Sequence, residues 1–180
     1  MSDHCISIVP KISQYLNKEE KIEEILDWLV SGDIVKPEIT DCTLSEAGGY
    51  AVSSGAKGIS DEPENLPFDL QVNGLEIIST RHFFHTGENG IDEVVCPNCN
   101  QNILTEDDLS FVEDWYETES LVTCPLCNQD TEINDLKTKP VLGFSDLGFT
   151  FWNWPDFSNS FIAEFRRRLG SDIALVHTWI

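Results

Sequence analysis

The sequence predicts an α+β fold: a mixed sheet with two helices packed on one side and a cysteine-bearing insert between its strands. Three observations carry this. Apolar residues alternate at period two near both ends of the chain and in its middle, as half-buried strands require. Two stretches, 17–30 and 157–169, change to the helical period of 3.6. Between the middle and late strands stand two Cys-x-x-Cys turns, Cys96-Pro97-Asn98-Cys99 and Cys124-Pro125-Leu126-Cys127, with 24 residues separating them. At 180 residues and 41% hydrophobic content the chain can bury one ordinary core, or one core and a small insert.

In chain order, Cys5 to Ile12 alternates around Ile6 and Ile8 and reads as a first strand, with Pro10 suited to a sheet edge. Ile22, Ile25, Leu26 and Leu29 form the apolar stripe of a helix over 17–30. Asn17 is its expected cap, Glu19 and Glu20 lie at the positive end of its dipole, and Gly32 stops it. Ile34-Val35 opens an extended segment that Pro37 should limit. Residues 42–59 read as a strand flanked by glycine-rich loops, and 60–67 as an acidic loop with two prolines. Gly74 to Phe84 has the β-branched and aromatic content of a central strand, followed by a turn at 86–90.

The insert is expected at 94–136, which leaves 1–93 and 137–180 as the α+β platform. Its own helix runs from Thr105 to Tyr116, with Thr105 as cap and Asp108 in a capping-box position. After Pro140, residues 141–154 carry Phe144, Leu147, Phe149, Phe151, Trp152 and Trp154 and are apolar on both alternating faces at the end of the run, as in a strand covered on two sides, and Pro155 ends it. Asp156 or Ser158 caps the last helix, which Gly170 closes, and Ile173 to Ile180 forms a terminal strand. A helix between two strands predicts that those strands run parallel.

Cys96, Cys99, Cys124 and Cys127 have the residue type and spacing of a four-thiolate zinc site. Four thiolates fill the coordination sphere, so the expected ion is a single structural one. Cys5 and Cys42 read as small buried apolar residues, with a reactive or paired thiol as the alternative. His82 and His85 stand three apart, hence on opposite faces of a regular strand. They read as packed or surface histidines, with a ligand or base role as the alternative, and His177 is weighed the same way. Arg166-Arg167-Arg168 complements the negative end of the last helix, or contacts an anion. Trp152 and Trp154 are core residues by default and pocket residues if exposed beside a concavity. Gly49 to Gly58 is no Walker loop: five residues separate Gly49 from Gly55, and Ala56 precedes Lys57.

Charge bounds the partners. Against 32 acidic side chains stand 11 basic ones, a net −21. Such a surface cannot broadly neutralise phosphates, which makes nucleic acid an unfavoured partner and a basic protein a favoured one. The amino terminus lacks a cationic n-region with an apolar run, and nowhere do about 18 apolar residues follow one another, so the expectation is a cytoplasmic protein without a membrane partner. With no catalytic set in view, the function expected is a non-enzymatic interaction protein stapled by zinc, of an inhibitor or immunity type. The alternative is an enzyme or small-ligand binder with a pocket near Trp152, Trp154, His82, His85 and the three arginines.

Over nearly its whole length the chain also resembles a family of small bacterial proteins of uncharacterised function often labelled sugar ABC transporter ATPase. The residues that carry this are Val9-Pro10-Lys11-Ile12-Ser13, Leu66-Pro67-Phe68-Asp69-Leu70, Asn73-Gly74-Leu75-Glu76, both cysteine turns, and Gly143 to Pro155. The label implies an ATP site, which these residues do not form.

Overall fold

The computed structural model describes residues 2–104, 109–117 and 120–180. Thr105 and Asp108, the expected cap of the insert's helix, lie outside the described residues. A six-stranded sheet forms the frame, in the order β12-β1-β11-β4-β3-β2. Its strands are β1 (His4–Pro10), β2 (Val35–Thr40), β3 (Gly49–Val52), β4 (Leu75–Ile78), β11 (Gly148–Trp152) and β12 (Ile173–Trp179). Three two-stranded sheets use β5 (His82–Phe84) with β10 (Gly143–Ser145), β6 (Glu93–Val95) with β9 (Lys137–Lys139), and β7 (Leu121–Thr123) with β8 (Asp130–Glu132). The helices are α1 (Lys18–Ser31), α2 (Ser110–Glu117) and α3 (Asn159–Leu169). The fold class is α+β.

The strand pairs are antiparallel, and the parallel component is an isolated bridge between Gly87 and Trp179. β11 and β12 do run parallel to each other, but only because β1 lies between them and is antiparallel to both. Pro10 is therefore not at an edge: β1 is interior, and Pro10 is its last residue, paired with Ile173 of β12. Pro37 sits inside β2 instead of limiting it. β2 is the edge strand, and its register shifts between Val35 and Ile39.

Two long runs expected as single strands are each broken. Residues 74–84 divide into β4 and β5, and 141–154 into β10 and β11. The second break is held by polar contacts that periodicity does not register. The Asp146 carboxylate accepts from the Tyr15 amide at 2.8 Å and from Lys18 Nζ at 3.2 Å, and Ser145 Oγ accepts from the Leu147 amide at 3.2 Å. The β5–β10 pair then folds over part of the sheet face opposite the helices, where Phe84 lies against Gly148, and all of β11 is buried.

The helix caps divide in the same way. Ser158 accepts from the Phe161 amide at 3.3 Å, and Gly170 takes the left-handed conformation at φ 66°. Asn17 is itself left-handed and makes no side-chain cap bond. Gly32 keeps a negative φ, and the left-handed turn after α1 falls on Asp33, whose carboxylate accepts from the Ser53 and Ser54 hydroxyls at 2.6 Å each.

One face of the sheet and the two outer helices make the main core. Ile6, Ile8, Leu75, Phe149 and Phe151 pack against Ile25 and Leu29 of α1 and Phe161, Phe165 and Leu169 of α3. A second core holds Val94, Val112, Trp115, Ile133 and Leu136 together with Leu142 and Phe144. On the far face of the sheet, Val9, Ala174 and Val176 meet Phe84.

Gly148 is what lets Phe84 lie there. A Cβ at 148 would collide with the Cζ and Cε1 atoms of that buried ring. Gly148→Ala is expected to lower stability by about 1–3 kcal/mol through overpacking, measured by urea unfolding. A change below about 0.5 kcal/mol would show that the Phe84 ring has room to move.

Candidate metal centre

The four cysteines of the insert converge. Their Sγ atoms all lie within 4.8 Å of one another, with Cys96 to Cys127 at 3.9 Å and Cys99 to Cys124 at 3.8 Å. A tetrahedron of metal–sulfur bonds near 2.3 Å has edges of about 3.8 Å, whereas a disulfide would bring two sulfurs to about 2.05 Å. All six cysteines are free. The cluster fits one metal ion and offers it four sulfurs.

The two turns are built alike. In the first, the Cys96 amide donates to Gln101 O and the Asn100 amide to Cys96 O; in the second, Cys124 and Asn128 make the equivalent bonds to Gln129 O and Cys124 O. Each turn ends on a left-handed asparagine, Asn100 at φ 56° and Asn128 at φ 59°. The duplicated hexapeptide behind this, Cys-Pro-x-Cys-Asn-Gln, was the signal available in the sequence for these two asparagines. They let the backbone double back so that amides point at sulfur. The Cys127 and Leu126 amides donate to Cys124 Sγ at 3.4 Å each and lower its pKa. The Cys99 and Asn98 amides act the same way on Cys96 and pull its thiol down to about 6, against desolvation by burial.

Asn128→Ala is expected to loosen metal retention, because a left-handed alanine costs about 1–2 kcal/mol. Asn128→Gly should retain the ion as wild type does. Competition with a chromophoric chelator measures both. Equal retention by the alanine and glycine variants would remove backbone strain as the reason for asparagine.

Trp115, Glu132 and Asn134 of the segment 94–136 meet at Ser13, a residue whose part in this joint nothing in the sequence pattern announced. Trp115 Nε1 donates to Ser13 Oγ at 2.9 Å and Asn134 Nδ2 donates to it at 3.3 Å, while Ser13 Oγ donates to Glu132 Oε1 at 3.1 Å. The Arg81 guanidinium lies over the Trp115 ring at 4.6 Å. The β6–β9 pair reaches Lys139, so the paired structure runs past 136.

The other expected site residues separate. Trp154 is fully buried in the main core and donates to Asn73 O at 2.7 Å, which makes it a structural residue. The arginines are occupied on α3. Arg167 and Arg168 hold Glu164 at 2.6 and 2.8 Å, Arg166 faces Asp172 at 3.5 Å, and Arg168 also covers the Trp28 ring at 4.6 Å. The hydrogen bond from Arg167, then the charges of Arg167 and Arg168, bring the Glu164 carboxyl down to about 2 despite some desolvation.

His82, His85 and Trp152 do meet. They line one cavity of about 230 Å³ with Cys5, Ser7, Glu76 and Thr150. β5 ends at Phe84, so His85 is outside the strand's alternation and lines the same cavity as His82. Cys5 and Cys42 are buried, and burial pushes the Cys5 thiol up to about 11. His177 lies exposed on β12. No helix among the described residues is long and apolar enough to cross a membrane.

Comparison of the chain with protein-family models, with curated proteins and with solved structures gave no match, so the family resemblance read from the sequence stays an expectation.

Proposed function

We propose that the chain is a non-catalytic binding protein in which one zinc ion on Cys96, Cys99, Cys124 and Cys127 closes the second core and an acidic surface receives a basic polypeptide. Zinc is the ion favoured by four sulfurs at tetrahedral spacing. A set of four protein ligands leaves no coordination position for a water or substrate, which assigns the ion a structural part.

The observation that carries the binding reading is uncompensated charge. Among the described residues, which hold 28 of the chain's 32 acids, the ion pairs engage Glu24, Asp146, Glu164 and Asp172. Such a field attracts cationic surfaces and hastens encounter with them.

The test is capture from a lysate on the immobilised protein over a range of salt. A basic partner held at about 0.15 M salt and released as the Debye length shrinks toward about 3 Å at 1 M supports the proposal. Recovery of no salt-sensitive partner counts against it.

A second reading, a small-ligand site in a cytoplasmic protein, is supported by the convergence of His82, His85, Glu76 and Trp152 on one cavity. Elemental analysis of the purified protein tests the metal: one zinc per chain is expected, and iron or no metal overturns that part.

A further inference from the structure

The sheet face turned away from α1 and α3 carries side chains that neither the main core nor the metal centre uses. Period-two alternation puts Cys5 and Ser7 of β1, Thr150 and Trp152 of β11, Glu76 of β4 and Thr178 of β12 on this face. Strand register aligns them as two rungs. Thr178 stands opposite Cys5 and Cys5 opposite Trp152; Ser7 stands opposite Thr150 and Thr150 opposite Glu76. The β5–β10 layer covers only part of this face. Where it stops, His82, Phe84 and His85 form the rim of the 230 Å³ cavity, with the two rungs as its floor.

The chemistry of the cavity selects a cation. Glu76 is the one carboxylate lining it, and neither lysine nor arginine lines it. Its Oε2 accepts from Trp152 Nε1 at 2.9 Å, and Oε1 has no hydrogen-bond partner among the described residues. Ser7 Oγ and Thr150 Oγ1 satisfy each other at 2.8 Å. The His82 ring stands edge-on to Phe84 at 4.5 Å, and desolvation, then His85, lowers its pKa. Ile78, Phe84 and Trp152 supply apolar and aromatic surface for an aliphatic stem and for a cation over a ring.

An anion would meet the Glu76 carboxylate with no lysine or arginine beside it to offset the repulsion. Cys5, Glu76, His82 and His85 do not assemble into a metal-ligand set either, since the four-cysteine cluster is the one such group among the described residues. Size narrows the choice further. Pockets for drug-sized molecules begin at about 300 Å³, so 230 Å³ suits a single side chain better than a nucleotide or cofactor.

We infer that this cavity seats one lysine or arginine side chain of the basic polypeptide partner, an inference that rests on the binding reading above. Glu76 Oε1 pairs with the cationic head, the His82 imidazole accepts a further hydrogen bond from it, and Trp152 and Phe84 flank the stem. The surface charge brings the partner in, and the cavity fixes its register.

The experiment is an NMR titration of the full chain that follows the indole Nε1–H signal of Trp152, assigned by its loss in Trp152→Phe. The probes are N-acetyl-arginine amide and N-acetyl-lysine amide, the uncharged isostere N-acetyl-citrulline amide, and agmatine as a free amine. The expected result is a saturable shift with at least one capped cation and at least tenfold weaker binding of citrulline amide. Binding should fall about tenfold in Glu76→Gln, which keeps an acceptor for Trp152, and several-fold in His82→Ala on the exposed rim.

Absence of a saturable shift, an equal response to citrulline amide, or undiminished binding in either variant overturns the inference. Agmatine binding well above both capped amino acids would also overturn it, by reassigning the site to free amines. The two levels of the proposal fail separately. A salt-sensitive partner held equally well by Glu76→Gln protein counts against the cavity alone. A cavity that binds the capped cations while no partner is retained counts against the partner reading alone.

Discussion

Cys99→Ser is expected to melt the metal module and leave the six-stranded sheet folded. A structural zinc ion contributes on the order of 10 kcal/mol to the small domains it closes, comparable with the whole stability of a typical domain. The module has little to replace that. Its buried cluster is small, and it borrows Leu142 and Phe144, with Phe83 beside them, from outside the cysteine-bearing segment.

The main core, in contrast, takes no buried member from between Leu75 and Leu147 among the described residues, and only Ile77 of β4 packs against it from that stretch. Hydrogen exchange should therefore show lost protection in β6 to β9, loosening of β5 and β10 through Phe83 and Phe144, and retained protection in β1, β11 and β12. Chelation of the wild-type protein should reproduce this pattern. Loss of protection in β1 and β11 at the same rate as in β6 would show a single cooperative unit and overturn the expectation.

Phe165→Ala should do the converse and weaken the sheet itself. Phe165 is fully buried, with its ring at 5.1 Å from Phe149, 5.5 Å from Trp28 and 5.6 Å from Phe161. Truncating such a ring removes its transfer free energy and leaves a cavity that rigid aromatic neighbours cannot fill, an expected loss of about 3–5 kcal/mol. Urea unfolding, with one midpoint shifted and the slope unchanged, measures it. A loss below about 1 kcal/mol would mean that the cluster repacks. Metal retention in the folded fraction should stay at the wild-type level, since Phe165 and the cysteines share no core.

What could be read from residues alone follows from local geometry. Period-two and period-3.6 patterns placed Ile6 and Ile8 on one face of a strand and Phe161, Phe165 and Leu169 on one face of a helix. The cysteine spacing identified the ligand set without any knowledge of the fold, because each turn is self-contained. Ser158 and Gly170 work as caps through bonds to residues close by.

The misread features depended on distant partners. Asn17 and Gly32 have the right identities for caps, yet α1 is entered and left through turns set by neighbouring segments, with Asp33 held by Ser53 and Ser54. The run 141–154 carries Ser145, Asp146 and Gly148 at the break, a local turn signal that the apolar residues on either side outweighed, and the Tyr15 amide and Lys18 hold Asp146 there from a distant stretch of the chain.

The candidate sites divide along the same line. Arg166, Arg167 and Arg168 drew notice as a cationic cluster, and their acidic partners lie within the same helix, on α1 and at Asp172. Trp154 and Trp152 are two residues apart, yet one completes the core and the other lines a cavity, because β11 has ended before Trp154.

By itself, then, the sequence determined the α+β class, the helix faces, the four-sulfur cluster and the acidity of the surface, all properties of residue type and short spacing. Only the tertiary structure decided that β1 separates β11 from β12, that Ser13 joins module to sheet, and that His82, His85 and Glu76 share one cavity. Those outcomes depend on strand order and on where two strands break. The contacts that fix them join residues more than 70 positions apart, such as Glu76 with Trp152 and Tyr15 with Asp146, and no local period encodes them.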